Sequence, residues 1–166
     1  VESLGGKERL KFYLAGPIDF TTGSQDKTWR RRIGRFLKKR GHEVRNPLHK
    51  PLPKAIGDPR NYLQELRDQG KIGEVRGFVR RFIIPPDLAM VDECEIVLAY
   101  LPRGFRICGT WGEITYAFAH GKAVFIVSNI PTSLLPNWVI GCSTFIFPSF
   151  KEFKRFFGSN KNEGAS

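Results

Sequence analysis

Two almost unbroken apolar runs, Glu95-Ile-Val-Leu-Ala-Tyr-Leu101 and Lys122-Ala-Val-Phe-Ile-Val-Ser128, bracket a stretch, Ile114 to His120, of helical character that ends at Gly121. A strand without polar alternation must be covered on both faces, which parallel sheets flanked by helices provide. The spacing therefore predicts a strand-helix-strand unit, and the rest of the chain repeats it. Lys11-Phe-Tyr-Leu-Ala15 reads as a first strand that breaks at Gly16-Pro17. In the next helix Trp29, Ile33, Phe36 and Leu37 fall at i, i+4, i+7 and i+8, leaving the arginines and lysines outward, with Asp26 as cap and Gly41 as terminator. Glu43-Val44-Arg45 is a short second strand. A helix from Asp87 to Cys94 follows Pro85-Pro86, Ser143 to Phe147 is the last strand, and Ser149 caps a final helix that turns Phe150, Phe153, Phe156 and Phe157 inward. This order predicts a single-domain α/β fold, a Rossmann-like or flavodoxin-like parallel sheet with helices on both faces.

With 166 residues, 41% of them hydrophobic, the chain suits one domain, placed at residues 10–157, with flexible termini at 1–9 and 158–166. Residues 48 to 86 read as a long connection rich in proline, glycine and charge. It holds one helix, Asn61 to Asp68, with Tyr62, Leu63 and Leu66 on its buried side, and serves as a lid, a subunit contact or a tolerated insertion. No apolar run approaches the ~20 residues that span a bilayer, so a cytoplasmic protein without membrane association is expected. Cys94, Cys108 and Cys142 form no CxxC pair and read as structural thiols; His42, His49 and His120 show no HxxxH spacing. No metal and no cofactor are expected. The net charge of +11, much of it in Lys27, Arg30, Arg31, Arg32, Arg35, Lys38, Lys39 and Arg40, admits a phosphorylated substrate or a nucleic acid as partner. For that helix alone, a solvated face is the simpler account. A nucleic-acid partner is disfavoured by aromatic residues clustered in core-like positions, with no exposed stacking row.

Glu113 stands out. It lies just behind Gly109-Thr110-Trp111-Gly112, where the strand ending at Leu101 gives way to a helix. In open α/β sheets ligands bind beyond the carboxyl ends of strands, and a glycine turn lets a substrate approach the backbone. A carboxylate there is a candidate nucleophile; as an alternative, it decorates a first helical turn, where the helix dipole favours acids. Asp87, read from its place after Pro86, is a cap for the helix that follows, with Asp92 and Glu95 as other acids nearby.

Phe12-Tyr13-Leu14-Ala15-Gly16-Pro17-Ile18, Trp29 in a helix, Gly41-His-Glu-Val-Arg-Asn-Pro47, Asp87-Leu88, Gly109-Thr110-Trp111-Gly112-Glu113 and Gly121-Lys122 occur in one order. Together they resemble the nucleoside 2-deoxyribosyltransferase family across most of residues 11 to 157. The resemblance implies that Glu113 attacks the anomeric carbon of a 2-deoxyribosyl group, that Asp87 exchanges a proton with the base, and that Tyr13 hydrogen-bonds and orients Glu113. Gly16, Gly109 and Thr110 would line the sugar pocket. It also implies a homo-oligomer whose neighbouring subunit completes the site, with Asn137 and Trp138 in the corresponding region. The partners would be a nucleoside or nucleotide and a free nucleobase. One departure is informative: transferases of the family that use free nucleosides carry an aspartate six residues before the glutamate, where this chain has Ile107 beside Arg106. An arginine without that aspartate would favour a 5′-phosphate. Deoxyribosyl transfer is thus the leading expectation, hydrolysis of 2′-deoxynucleoside 5′-monophosphates the alternative, and a non-catalytic nucleotide- or nucleic-acid-binding relative the third.

Overall fold

A computed structural model describes residues 9–18, 25–104 and 108–159. Five strands, β1 (Lys11–Ala15), β2 (Glu43–Arg45), β3 (Ile96–Leu101), β4 (Ala123–Ser128) and β5 (Phe145–Phe147), form one sheet in the order β2-β1-β3-β4-β5, every neighbouring pair parallel. This is the parallel α/β fold the apolar runs predict. β3 and β4 are buried along almost their whole length, as strands covered on both faces must be.

The two-residue period of β1 divides the molecule. Phe12 and Leu14 join one cluster with Trp29, Ile33 and Leu37 of α1 (Gln25–Lys38) and Phe153 of α7 (Phe150–Ser159). Tyr13 and Ala15 face the other cluster, with Val91 of α4 (Ile84–Asp92), Ile114 and Ala117 of α5 (Cys108–Ala119) and Val139 of α6 (Asn137–Cys142). Gly41 ends α1 as expected. At φ +89 it allows the His42 amide to reach the Leu37 carbonyl and its own amide that of Lys38, the paired bonds of a Schellman cap. Ser149 caps α7 through the Glu152 amide, 3.3 Å away.

The structure departs from the sequence expectations in four places. Arg30 is not outward: it is 1% exposed, on the same stripe as Ile33 and Leu37. Residues 48 to 86 are not a loose connection with one helix. They carry two 3-10 turns (Pro47–His49 and Lys54–Ile56), then α2 (Pro59–Asp68), α3 (Ile72–Phe82) and the start of α4. Leu63 and Leu66 of α2 are buried, and Tyr62 packs on Phe78 at 5.4 Å. Third, α4 starts before the prolines rather than after them, with Pro85 and Pro86 in its first turn, where a proline's missing N–H costs nothing. Fourth, α5 already includes Cys108, so Gly109 and Thr110 belong to the helix and not to a turn before it. Asp26's side chain, like Arg106 and Ile107, lies outside the described residues. Among the described residues no helix is long and apolar enough to cross a membrane.

Candidate active site

The chain leaves β1 toward α1 on one face of the sheet and leaves β3 toward α5 on the other, so a crevice opens between the carboxyl ends of β1 and β3. A cavity of about 410 Å3 lies there. Gly16, Pro17 and Ile18 line it just after β1, Pro47, Leu48 and Lys50 after β2, and Gly109, Thr110 and Glu113 on α5. Leu63 of α2, Val79 of α3 and Asp87 of α4 complete the wall, so the segment from 48 to 86 is part of the site.

Tyr13 connects the core to the chemistry. The strand period sends its ring to the α4/α5 side, where its hydroxyl donates to Glu113 Oε1 at 2.6 Å across 100 residues of sequence. Burial and, after it, the Glu113 charge push the phenol's pKa far up, so Tyr13 remains a donor. Glu113 is held up at about 7, chiefly because burial disfavours its charge, with the Asp87 charge acting the same way. The Tyr13 hydrogen bond and, more weakly, the Arg30 and Lys50 cations oppose that rise. Asp87 is buried and raised for the same first reason, against the pull of Lys50. Both of its oxygens accept from Lys50 Nζ, at 2.6 and 2.7 Å. Lying within α4, Asp87 does not cap that helix; Ile83 holds the cap position and makes no side-chain capping bond.

The structure thus brings Glu113, Asp87, Gly16, Gly109 and Thr110 to one cavity, with Tyr13 buried behind Glu113 and bonded to it. A β-carbon on Gly109 would meet nothing within 4 Å, so the space beside it is open to a ligand. Gly16 is required for a different reason: a β-carbon there would sit 2.6 Å from Trp29 Cζ2. Arg106 cannot be placed, because residues 105–107 lie outside the described ones. Asp92 and Glu95 are engaged elsewhere, accepting from the Tyr116 hydroxyl and the Lys11 amide. Cys94 and Cys142 are core thiols, but Cys108 is an exposed thiol on the cavity wall, not the structural residue expected.

Two residues of the site were missed. Arg30 donates to the carbonyls of Gly16 at 2.9 Å, Pro17 at 3.3 Å and Leu14 at 3.4 Å, bracing the end of β1. Its spacing of three and seven from Ile33 and Leu37 was the available sign. Lys50 was invisible because its partner lies 37 residues away.

Fold and site define a class: a parallel α/β domain that presents two carboxylates in a cleft at the strand ends. The chain belongs to the nucleoside 2-deoxyribosyltransferase family, whose model matches residues 12–151, which indicates an enzyme of the glycosyltransferase or N-glycosidase kind. No curated protein matches it in sequence. Solved structures share the fold. A 2-deoxyribosyltransferase from Bacillus psychrosaccharolyticus is 19% identical, with a TM-score of 0.63 over 90% of this chain and 95% of its own. A CMP N-glycosidase from Clostridium botulinum is 18% identical, with a TM-score of 0.50 over 89% and 98%. A conserved protein from Enterococcus faecalis V583 is 15% identical, with a TM-score of 0.58 over 92% and 99%.

Proposed function

We propose that the protein cleaves the N-glycosidic bond of a 2′-deoxynucleoside and transfers the 2-deoxyribosyl group to another nucleobase through a covalent intermediate on Glu113. A Glu113 carboxylate oxygen bonds to the anomeric carbon as the carbon–nitrogen bond breaks. The electron pair leaves with the base, whose nitrogen takes a proton from the protonated form of Asp87. An incoming base then attacks the same carbon, returns a proton to Asp87 and frees Glu113. The positive charge that develops on the sugar as the bond breaks is met by the carboxylate before it is trapped. The observation that carries this reading is the 2.6 Å hydrogen bond from buried Tyr13 to Glu113, which lines the same cavity as Asp87.

Incubation with deoxyadenosine or deoxycytidine and a second free base should yield a new nucleoside by chromatography, and Glu113→Ala should abolish it. Undiminished turnover by Glu113→Ala removes the covalent route. Lys27 and Arg60 on the cavity wall favour a second reading, hydrolysis of 2′-deoxynucleoside 5′-monophosphates, since with Asp58, which pairs with Arg60 at 2.6 Å, they leave one net positive charge for a phosphate. Base released without any acceptor, and only from monophosphates, selects that version.

Trp111 and Phe118 of α5 and Trp138 of α6 are 41%, 56% and 65% exposed, an apolar face that we assign to contact with a second copy of the chain. Sedimentation should show an oligomer that Phe118→Ser with Trp138→Ser dissociates.

A further inference from the structure

Among the described residues the ion pair between Lys50 and Asp87 is the most enclosed, with side chains only 7% and 9% exposed. The local sequence aims it. Asn46 Oδ1 accepts from the Leu48 amide at 3.1 Å and Pro47 occupies the first turn, so the chain leaving β2 curls into one 3-10 turn. Lys50 stands at the end of that turn, in extended backbone, on the cavity wall. Its ammonium spans both Asp87 oxygens, at 2.6 and 2.7 Å, instead of reaching solvent as a lysine ordinarily does.

We infer that Lys50 is a positioning residue of the reaction: it fixes the Asp87 carboxyl and balances the charge of the two carboxylates, so that Glu113 can be ionised while Asp87 handles the proton. This rests on the function proposed above. Glu113 is faced by Tyr13 from β1, Arg30 from α1, Asp87 from α4 and Lys50 from the turn after β2. Two acids and a phenol are thus set against two cations, and Arg30 is already committed to the carbonyls of β1's end. Without the Lys50 charge, both carboxyls hold their protons more tightly, since the lysine opposes the rise of each. Glu113 then becomes a nucleophile only at higher pH.

The test compares Lys50→Gln, which keeps a donor but no charge, with Lys50→Arg, which keeps both. The acidic limb of kcat/KM should move up by ~1 pH unit in Lys50→Gln, giving roughly a tenfold loss below the limb that narrows above it. Lys50→Arg should keep the limb near its original pH. A loss of the same factor at every pH, or a limb unmoved in Lys50→Gln, overturns the inference and leaves Lys50 a plain structural residue. Carbon-13 titration of the carboxyls in the substrate-free protein separates this from failure of the proposed reaction. Upward-shifted titrations in Lys50→Gln sustain the role of Lys50 in setting ionisation even if Glu113→Ala retains turnover, whereas unchanged titrations overturn it even if Glu113 is the nucleophile.

Discussion

At the scale of single residues the site turns on a phenol and a carboxylate that sequence separates by 100 positions. The Tyr13 bond favours the ionised form of Glu113, so removing the hydroxyl should push its pKa above the value of about 7. Tyr13→Phe should therefore lose activity most at low pH, on the order of tenfold more at pH 6 than at pH 9, as a pH–rate profile would show. A uniform loss would mean that Tyr13 only shapes the cavity. Glu113 was legible because it follows a glycine-rich step, whereas Tyr13, in the middle of a buried strand, gained a role in the site only from the family resemblance. Their bond too was expected from the resemblance alone, since building it from the residues needs the β1 period and the α5 rotation together. Lys50 was hidden more deeply, because a lysine in a proline-rich stretch reads as solvated until its carboxylate partner is placed.

Among the elements, α1 shows how amphipathic reading fails. Counting every arginine as outward ignores that Arg30 shares the stripe of Ile33 and Leu37, where its guanidinium replaces an apolar side chain and serves the backbone carbonyls after β1. Arg30→Met should leave those carbonyls without a donor and lower stability by about 1–3 kcal/mol, read from the urea midpoint. Arg31→Met, on the exposed face, should stay within about 0.5 kcal/mol of the parent. Equal effects of the two would return Arg30 to the surface. The same reading found α2 by Leu63 and Leu66 but missed α3, whose Val75, Phe78, Val79 and Phe82 recur at helical spacing among Gly73, Gly77 and four charged residues. They are held by packing on each other and α4, and their inner residues close the cavity.

Across the whole molecule, the strand order β2-β1-β3-β4-β5 places the crevice where connections diverge, and burial there costs stability. Alternation of strands and helices was readable along the chain; their lateral order was not, because it depends on which faces the crossovers cover. Glu113 carries the cost in a form that can be measured. Its pKa is about 7 in the folded protein against 4.5 without the fold, so between those values the folded state keeps a proton that the unfolded chain releases. Its effect on stability is therefore neutral below about pH 4.5, grows more unfavourable as pH rises to 7, and levels off above that at about 3 kcal/mol. Glu113→Gln keeps an acceptor for the Tyr13 hydroxyl and removes the charge. Denaturant unfolding should find it more stable than the parent at pH 8, by up to that amount, and no more stable at pH 4, while it makes no glycosyl bond. A Glu113→Gln protein less stable than the parent at pH 8 would mean that the fold holds this carboxylate for its own sake, because a group strained for catalysis releases stability when its charge is removed.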